Sequence, residues 1–196
     1  MIKRGFDYGF ALAGLLALAP LFLFIILWIL VADGRPVLFR QTRVGRFGRT
    51  FTLLKFRTMT PARGVEDGAF EPGNFRRVTR AGRRLRAAKL DELPQLLNVL
   101  KGDMSFVGPR PEVPRWVALH PERWEIVLRV RPGITDPASL AYRNEEKLLA
   151  GSSDPERFYR EEILPRKLDL YEKYVRERGF WKDLGIMVRT VLAVIT

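Results

Sequence analysis

Two adjacent carboxylates, Asp91 and Glu92 in Leu90-Asp91-Glu92-Leu93-Pro94-Gln95, stand in a chain otherwise crowded with arginine. A second constrained run follows, Asp103-Met104-Ser105-Phe106-Val107-Gly108-Pro109-Arg110-Pro111. Carboxylates in such a setting support two kinds of chemistry. One can hold a hard divalent cation that keeps its waters and also binds phosphates, as Mg²⁺ does. One can attack phosphorus as a nucleophile and give a covalent acyl phosphate. The pair also suits the start of a helix, with Asp91 as N-cap, Glu92 favouring the helix dipole and Pro94 tolerated in the first turn. The amides of that helix start, beside Arg86, Lys89 and the rigid Pro109-Arg110-Pro111, are expected to gather phosphates. On this stretch alone, capping and catalysis both stand.

The rest of the composition narrows the field. No cysteine is present and His120 is the single histidine, which excludes disulfides, thiolate sites and multi-histidine metal centres. His120 itself reads as an ordinary helix-end residue. The 196 residues suit one compact domain with an appendage, and carry a net charge of +12. Residues 1–90 hold 17 Lys/Arg against 5 Asp/Glu, whereas residues 91–196 hold 17 of each. A basic half beside an apolar segment favours anionic headgroups or phosphorylated substrates. Nucleic acid is not expected, because the aromatics do not interleave with the cations as base stacking requires.

Residues 8–31 are an apolar run, about 36 Å as a helix and long enough to cross a bilayer. Pro20 interrupts it. Lys3 and Arg4 precede it, and Arg35, Arg40, Arg43, Arg46 and Arg49 follow, which places both ends in the cytoplasm by the positive-inside rule. A helix that turns at Ala19-Pro20 and leaves on the same face satisfies both observations; a single kinked span is the alternative. Residues 1–34 are therefore expected as a re-entrant membrane helix and residues 35–196 as a cytoplasmic domain. The fold class is α+β, mainly helical, with amphipathic interfacial helices around a compact core. Residues 36–41 and 51–56 read as a short β-hairpin across Val44-Gly45-Arg46-Phe47-Gly48-Arg49. Residues 60–74 are turn-rich. Residues 74–89 read as a basic helix that lies on headgroups, frames an anion site or is simply solvated. Leu93, Leu96, Leu97 and Leu100 predict a buried helical stripe. Residues 114–130 predict a helix, 154–178 another broken near Pro165, and 180–195 an amphipathic helix for the interface or the core.

Taken together, these stretches resemble the bacterial sugar transferase family, the small monotopic phosphoglycosyl transferases. The matching segments are Lys3-Arg4-Gly5-Phe6-Asp7, the proline at the helix break, Lys55-Phe56-Arg57-Thr58-Met59 and Leu90-Asp91-Glu92-Leu93-Pro94-Gln95-Leu96. Asn98-Val99-Leu100-Lys101-Gly102 running into the Asp103–Pro111 stretch, and Arg131-Pro132-Gly133-Ile134-Thr135, complete the set. The resemblance implies an enzyme on the cytoplasmic face of the bacterial inner membrane. It would transfer a phosphosugar from a UDP-sugar to polyprenyl (undecaprenyl) phosphate, with Mg²⁺ as cofactor and release of UMP, as the first membrane step of glycoconjugate or polysaccharide biosynthesis. It implies that Asp91 is the nucleophile of a ping-pong reaction and a Mg²⁺ ligand, with Glu92 beside it for proton transfer or positioning. Lys55, Arg86, Arg110 and Arg131 are the implied phosphate contacts. Lys3, Arg4 and Asp7 match the head motif that seats the re-entrant helix, and Pro20 its break.

Two departures from the family pattern stand out. Alanine rather than serine precedes Pro20. After Thr135, where many relatives read Gly-x-x-Gln-Val, this chain has Asp136-Pro137-Ala138-Ser139-Leu140-Ala141-Tyr142-Arg143-Asn144-Glu145-Glu146. That segment is expected at the sugar end of the site: Tyr142 can pack on a sugar face, and Arg143, Asn144 and Glu145 can bind hydroxyls or an acetamido group. The alternative is a loop that orders the next helix. The competing functional class is a non-catalytic membrane module that binds anionic lipid or a partner protein.

Overall fold

A computed structural model of the chain describes residues 2–60 and 77–195. It opens on two apolar helices, α1 (Ile2–Ala17) and α2 (Ala19–Ala32), bent by 61° at the break. Pro20 lies in the first turn of α2, where its missing N–H has no intrahelical partner to lose. The proline thus starts a second helix, as its position in the sequence suggested. Among the described residues no single helix is long and apolar enough to cross a membrane, whereas the bent pair meets that requirement jointly.

Strands β1 (Leu38–Val44) and β2 (Thr50–Phe56) form the expected antiparallel hairpin, in register from Leu38 opposite Phe56 to Val44 opposite Thr50. Helix α3 (Arg80–Ala87) starts later than the sequence suggested. Val78 and Thr79 are not helical, and Thr79 caps α3 by accepting from the Gly82 amide at 2.9 Å. The Thr79 hydroxyl also donates to Asp33 at the end of α2, at 2.7 Å. The turn-rich stretch and Arg76 lie outside the described residues.

Leu90–Glu92 form a 3-10 turn, and α4 (Gln95–Lys101) begins only after it. This corrects two expectations. Asp91 is not the N-cap of the helix, a position that Pro94 occupies. Of the expected leucine stripe, Leu96 is buried and Leu93 and Leu100 pack half-buried against the cores, but Leu97 is exposed, and Gln95, Asn98 and Val99 are buried beside Leu96. The tighter turn changes the phase at which α4 starts. Asn98 is buried because it closes the sheet edge: its amide oxygen accepts from Leu54 N at 3.1 Å, and its amide nitrogen donates to the Thr52 carbonyl at 2.8 Å.

Strand β3 (Ser105–Val107) precedes α5 (Pro114–Val117) and α6 (Pro121–Val127), and β4 (Gly133–Thr135) then pairs with β3 in parallel. The single helix expected over 114–130 is interrupted because Pro121 begins a new helix after His120, which is indeed a helix-end residue. A Cβ at Gly108 or Gly133 would run into the other's backbone, so the two motif runs meet at a distance only glycine allows. Next come α7 (Pro137–Ala141), α8 (Glu145–Ala150), α9 (Pro155–Phe158), a π-helical turn (Tyr159–Ile163), α10 (Leu164–Glu177) and α11 (Phe180–Ile195). The break expected near Pro165 is that π-turn, directly before the proline-bearing first turn of α10.

One core gathers Trp116, Trp124, Tyr159, Leu164, Leu168 and Tyr171. A second joins Ala11 of α1 to Leu53, Leu96, Val99 and Met104, and a third joins Ile25 and Ile29 of α2 to Phe56 and Leu85. Both apolar helices are therefore built into the body of the protein while Leu16, Phe24 and Val31 stay exposed on them. Helix α11 divides likewise, burying Asp183 and Ile186 and exposing Trp181, Val188 and Val191. Substituting Gly133→Ala should destabilise the fold by about 1–3 kcal/mol through overpacking against Gly108. A thermal unfolding midpoint equal to that of the unchanged chain would contradict the close approach.

Candidate active site

The turn that carries the acidic pair is set by Lys89, whose φ of 55° is the left-handed conformation that ends α3 and that glycine usually fills. Strain of this kind collects at functional sites. It directs Asp91 inward, where the residue is only 7% exposed, and leaves Glu92 facing two other elements. Lys55 of β2 donates to Glu92 at 2.8 Å. Arg110, from the loop after β3, donates through both terminal nitrogens, one at 3.4 Å and the other closer. That loop is stapled to β1: Arg43 donates to the Pro111 carbonyl at 3.0 Å and to the Glu112 carboxylate at 3.3 Å, while Val44 pairs with Glu112 through the backbone.

The two carboxylates consequently differ in character. Burial opposes ionisation of Glu92, but the charges of Arg110 and Lys55 outweigh it and hold its carboxyl well below the usual range. Asp91 receives no hydrogen bond from any described residue. Burial pushes its carboxyl up; Glu92 adds to the rise, and Lys55, Arg86 and Arg110 counter it. Glu92 is a fixed anion with its oxygens engaged. Asp91 is a more basic carboxylate within the field of the same cations and with its oxygens uncommitted.

The structure brings Asp91, Glu92, Lys55, Arg86 and Arg110 together. Arg86, in the last turn of α3, is also bound by Glu146 at the start of α8. Buried Asp136 caps α7 by accepting from the amides of Ala138 and Ser139, and its charge acts on Arg110. The segment 136–146 therefore runs from Asp136, whose charge reaches Arg110, to Glu146, which binds Arg86. Within it Arg143 and Asn144 are exposed, Tyr142 leans half-buried on the main core, and Glu145 pairs with Lys167 at 3.1 Å.

Other expected residues lie elsewhere. Arg131 donates to the Gly102 carbonyl at 2.8 Å, at the opposite end of α4 from Asp91, and is not brought to the pair. Lys3 donates to the Val107 carbonyl at 2.9 Å, to Tyr174 at 3.2 Å and to Asp183. Asp7 accepts from Ser105 at 2.8 Å and from the Phe106 amide at 3.3 Å, so the head of α1 is pinned to β3. Arg4 reaches only Tyr8 on its own helix. The expected cradle of open helix amides is in large part closed. The Glu92, Leu93, Leu96 and Leu97 amides already donate to carbonyls, so positive charge at the site comes from side chains. Reading the sequence also missed Glu112 and Lys167. Glu112 directly follows Pro109-Arg110-Pro111, and a lone acid after a run of rigid residues was the available signal. Lys167 sits on an amphipathic helix with many other charges, where nothing set it apart.

The family model for bacterial sugar transferase matches residues 1–196. This chain belongs to the bacterial sugar transferase family. It is accordingly an enzyme, a transferase. It is 39% identical over 195 residues to the Uncharacterized sugar transferase EpsL of Bacillus subtilis, covering 100% of this chain and 88% of that protein. It is 41% identical over 182 residues to the UDP-glucose:undecaprenyl-phosphate glucose-1-phosphate transferase of Caulobacter vibrioides, covering 91% of this chain and 64% of the relative. It is also 34% identical over 198 residues to the UDP-N-acetylgalactosamine-undecaprenyl-phosphate N-acetylgalactosaminephosphotransferase of Aeromonas hydrophila, covering 100% of this chain and 44% of the relative.

Replacing Glu92 with glutamine should cost about 1–3 kcal/mol of stability, less than the 3–5 kcal/mol of a fully buried broken pair because Arg110 is partly open to solvent. A carboxyl depressed in the folded state stabilises above its unfolded pKa and loses that contribution as pH falls toward the folded one. The difference between the two chains should thus be constant at neutral pH and narrow only below about pH 4.3. Unfolding midpoints measured from pH 8 to pH 3 check this; a difference that vanishes by pH 6 contradicts it.

Proposed function

We propose that the chain transfers a phosphosugar from a UDP-sugar to undecaprenyl or a related polyprenyl phosphate, releasing UMP, through a covalent intermediate on Asp91. The observation that carries this reading is the asymmetry of the pair: Glu92 is locked between Lys55 and Arg110, while Asp91 is buried beside the same cations with no hydrogen bond from a described residue on its carboxylate. A carboxylate is a weak nucleophile and the diphosphate is anionic, so attack needs charge neutralisation, which Lys55, Arg86 and Arg110 provide. An Asp91 oxygen bonds to the sugar-bearing phosphorus, the bridging P–O bond breaks, and UMP leaves with the electron pair. A polyprenyl phosphate oxygen then attacks the same phosphorus and restores the carboxylate. Splitting the transfer this way lets a water-soluble donor and a lipid acceptor use one site in turn, and gives ping-pong kinetics.

Among the described residues no group of three or more His, Asp or Glu side chains could cage a metal. That suits Mg²⁺, which keeps its waters and binds through one carboxylate and substrate phosphates. Asp91, with its uncommitted oxygens, would hold it. When bound, the ion neutralises charge on the diphosphate.

We place the protein on the cytoplasmic face of the inner membrane, with α1 and α2 as a re-entrant pair. Lys3, at the head of α1, and Asp33, at the foot of α2, both bond to the body of the protein, through Val107 and Thr79. Such a pair enters and leaves on one side. In this cysteine-free chain, Gly5→Cys and Arg35→Cys should both resist an impermeant maleimide added outside intact cells and both react after lysis. Labelling of only one from outside would establish a span.

The chemical test uses Asp91→Asn, which keeps size and removes the nucleophile. Intact-protein mass after mixing with UDP-sugar and Mg²⁺ without acceptor should rise by one phosphosugar in the unchanged chain and not at all in Asp91→Asn, with UMP release lost as well. Glu92→Gln should slow turnover. An adduct that persists in folded Asp91→Asn places the nucleophile elsewhere.

A further inference from the structure

Away from the acidic pair lies a run of buried polar side chains that the proposed chemistry leaves without a task. Lys167 of α10 is 3% exposed, and Tyr159 is fully buried. Lys167 donates to Glu145 at 3.1 Å and to the Tyr159 hydroxyl at 3.3 Å. Tyr159 in turn donates to Glu112, whose other oxygen accepts from Arg43. The chain of contacts thus runs from Glu145, on the segment that departs from the family pattern, to Glu112, two residues after Arg110. A lysine ammonium buried this deeply is unfavourable unless it is paired, and a core of this size would accept an apolar residue in its place. A buried ion pair of this kind specifies geometry more than it stabilises.

Position shows which geometry is set. Glu145 opens α8, Glu146 next to it holds Arg86, and Leu149 anchors the same helix in the main core. Leu149 fixes how far α8 stands from the body, but an apolar contact carries no directional information. The Lys167–Glu145 pair does, because an ammonium and a carboxylate at hydrogen-bond distance fix a carboxylate's place and orientation. Tyr159 and Glu112 carry that reference across to the Arg110 loop. The sugar-side segment and the phosphate-side loop are thereby referenced to one buried cation.

We infer that Lys167 is a positioning residue for donor selection: it sets Glu145 relative to the Arg110 loop through Tyr159 and Glu112. This rests on the reaction proposed above. Removing the ammonium leaves Asp91, Glu92, Lys55 and Arg110 in place and lets the segment 142–146 drift, so the sugar end loosens while the phosphate end stays assembled.

The test compares kcat/KM for UDP-glucose, UDP-galactose and UDP-N-acetylgalactosamine, using the full detergent-purified chain and undecaprenyl phosphate. In Lys167→Met the preference for the best donor over the others should shrink about tenfold, the scale of discrimination that a few pocket contacts supply, and chiefly through KM. Glu145→Gln should shrink it to a similar degree, and the double variant should go no further, as residues acting through one contact are not additive. Tyr159→Phe, which deletes a single hydroxyl, should shift the preference the same way even if Lys167→Met fails to fold. A uniform fall with all three donors, or additive effects of Lys167→Met and Glu145→Gln, overturns the inference while leaving the reaction standing. No UMP release from any donor by the unchanged chain overturns the reaction and the inference with it.

Discussion

Glu92 is the charge on which three otherwise separate parts of the molecule converge. Lys55 comes from the hairpin, Arg110 from the loop after β3, and Glu92 itself from the tight turn after α3. Both cations are drawn against Glu92 and partly away from water, and burial lowers the pKa of Lys55 against the opposing pull of Glu92. One carboxylate serves both. The physical result is a division of labour between neighbours of almost identical chemistry: the glutamate neutralises and organises, and the aspartate is left basic and without a donor.

The same requirement, that every buried charge has its partner, explains how the apolar hairpin is attached. Asp7 lies in α1 among hydrophobic residues and reaches Ser105 and the Phe106 amide, two positions before Gly108. Lys3 reaches the Val107 carbonyl, Tyr174 and Asp183. The polar head of the helix and the strand that leads to Arg110 are thus one hydrogen-bonded unit, and the close passage of Gly108 against Gly133 leaves that unit no slack. The loop that presents Arg110 is fixed from the α1 side by these bonds and from the hairpin side by Arg43.

What could be read in the sequence were features written in consecutive residues. The acidic pair, the proline break after α1, the hairpin and the rigid run ending in Pro111 carry their signals locally. What could not be read were features that depend on phase or on distant partners. A 3-10 turn of three residues shifts the phase at which α4 starts, so hydrophobic spacing placed Leu97 on the buried face and did not reveal Gln95 and Asn98 there. Strands of three residues are too short to show alternation, so the parallel pairing of β3 with β4 had no visible signature. Arg131 belongs to a motif read as phosphate-binding, and its contact with the Gly102 carbonyl through Nε joins residues too far apart in the chain to be paired by reading. Glu112, Tyr159 and Lys167 meet only in three dimensions.

The contact between Lys3 and Asp183 spans 180 positions of the chain. A ribosome adding about 5–20 residues per second needs roughly 10–40 s between making one and making the other. Throughout that interval α1 exists without the anion that pairs with Lys3 at its polar head. Helix α11 therefore locks α1 only after every element between them has been made. A nascent chain thus carries Asp91 well before α11 has emerged to complete the framework that fixes the Arg110 loop beside it, so the acidic pair and part of its support are separated in time.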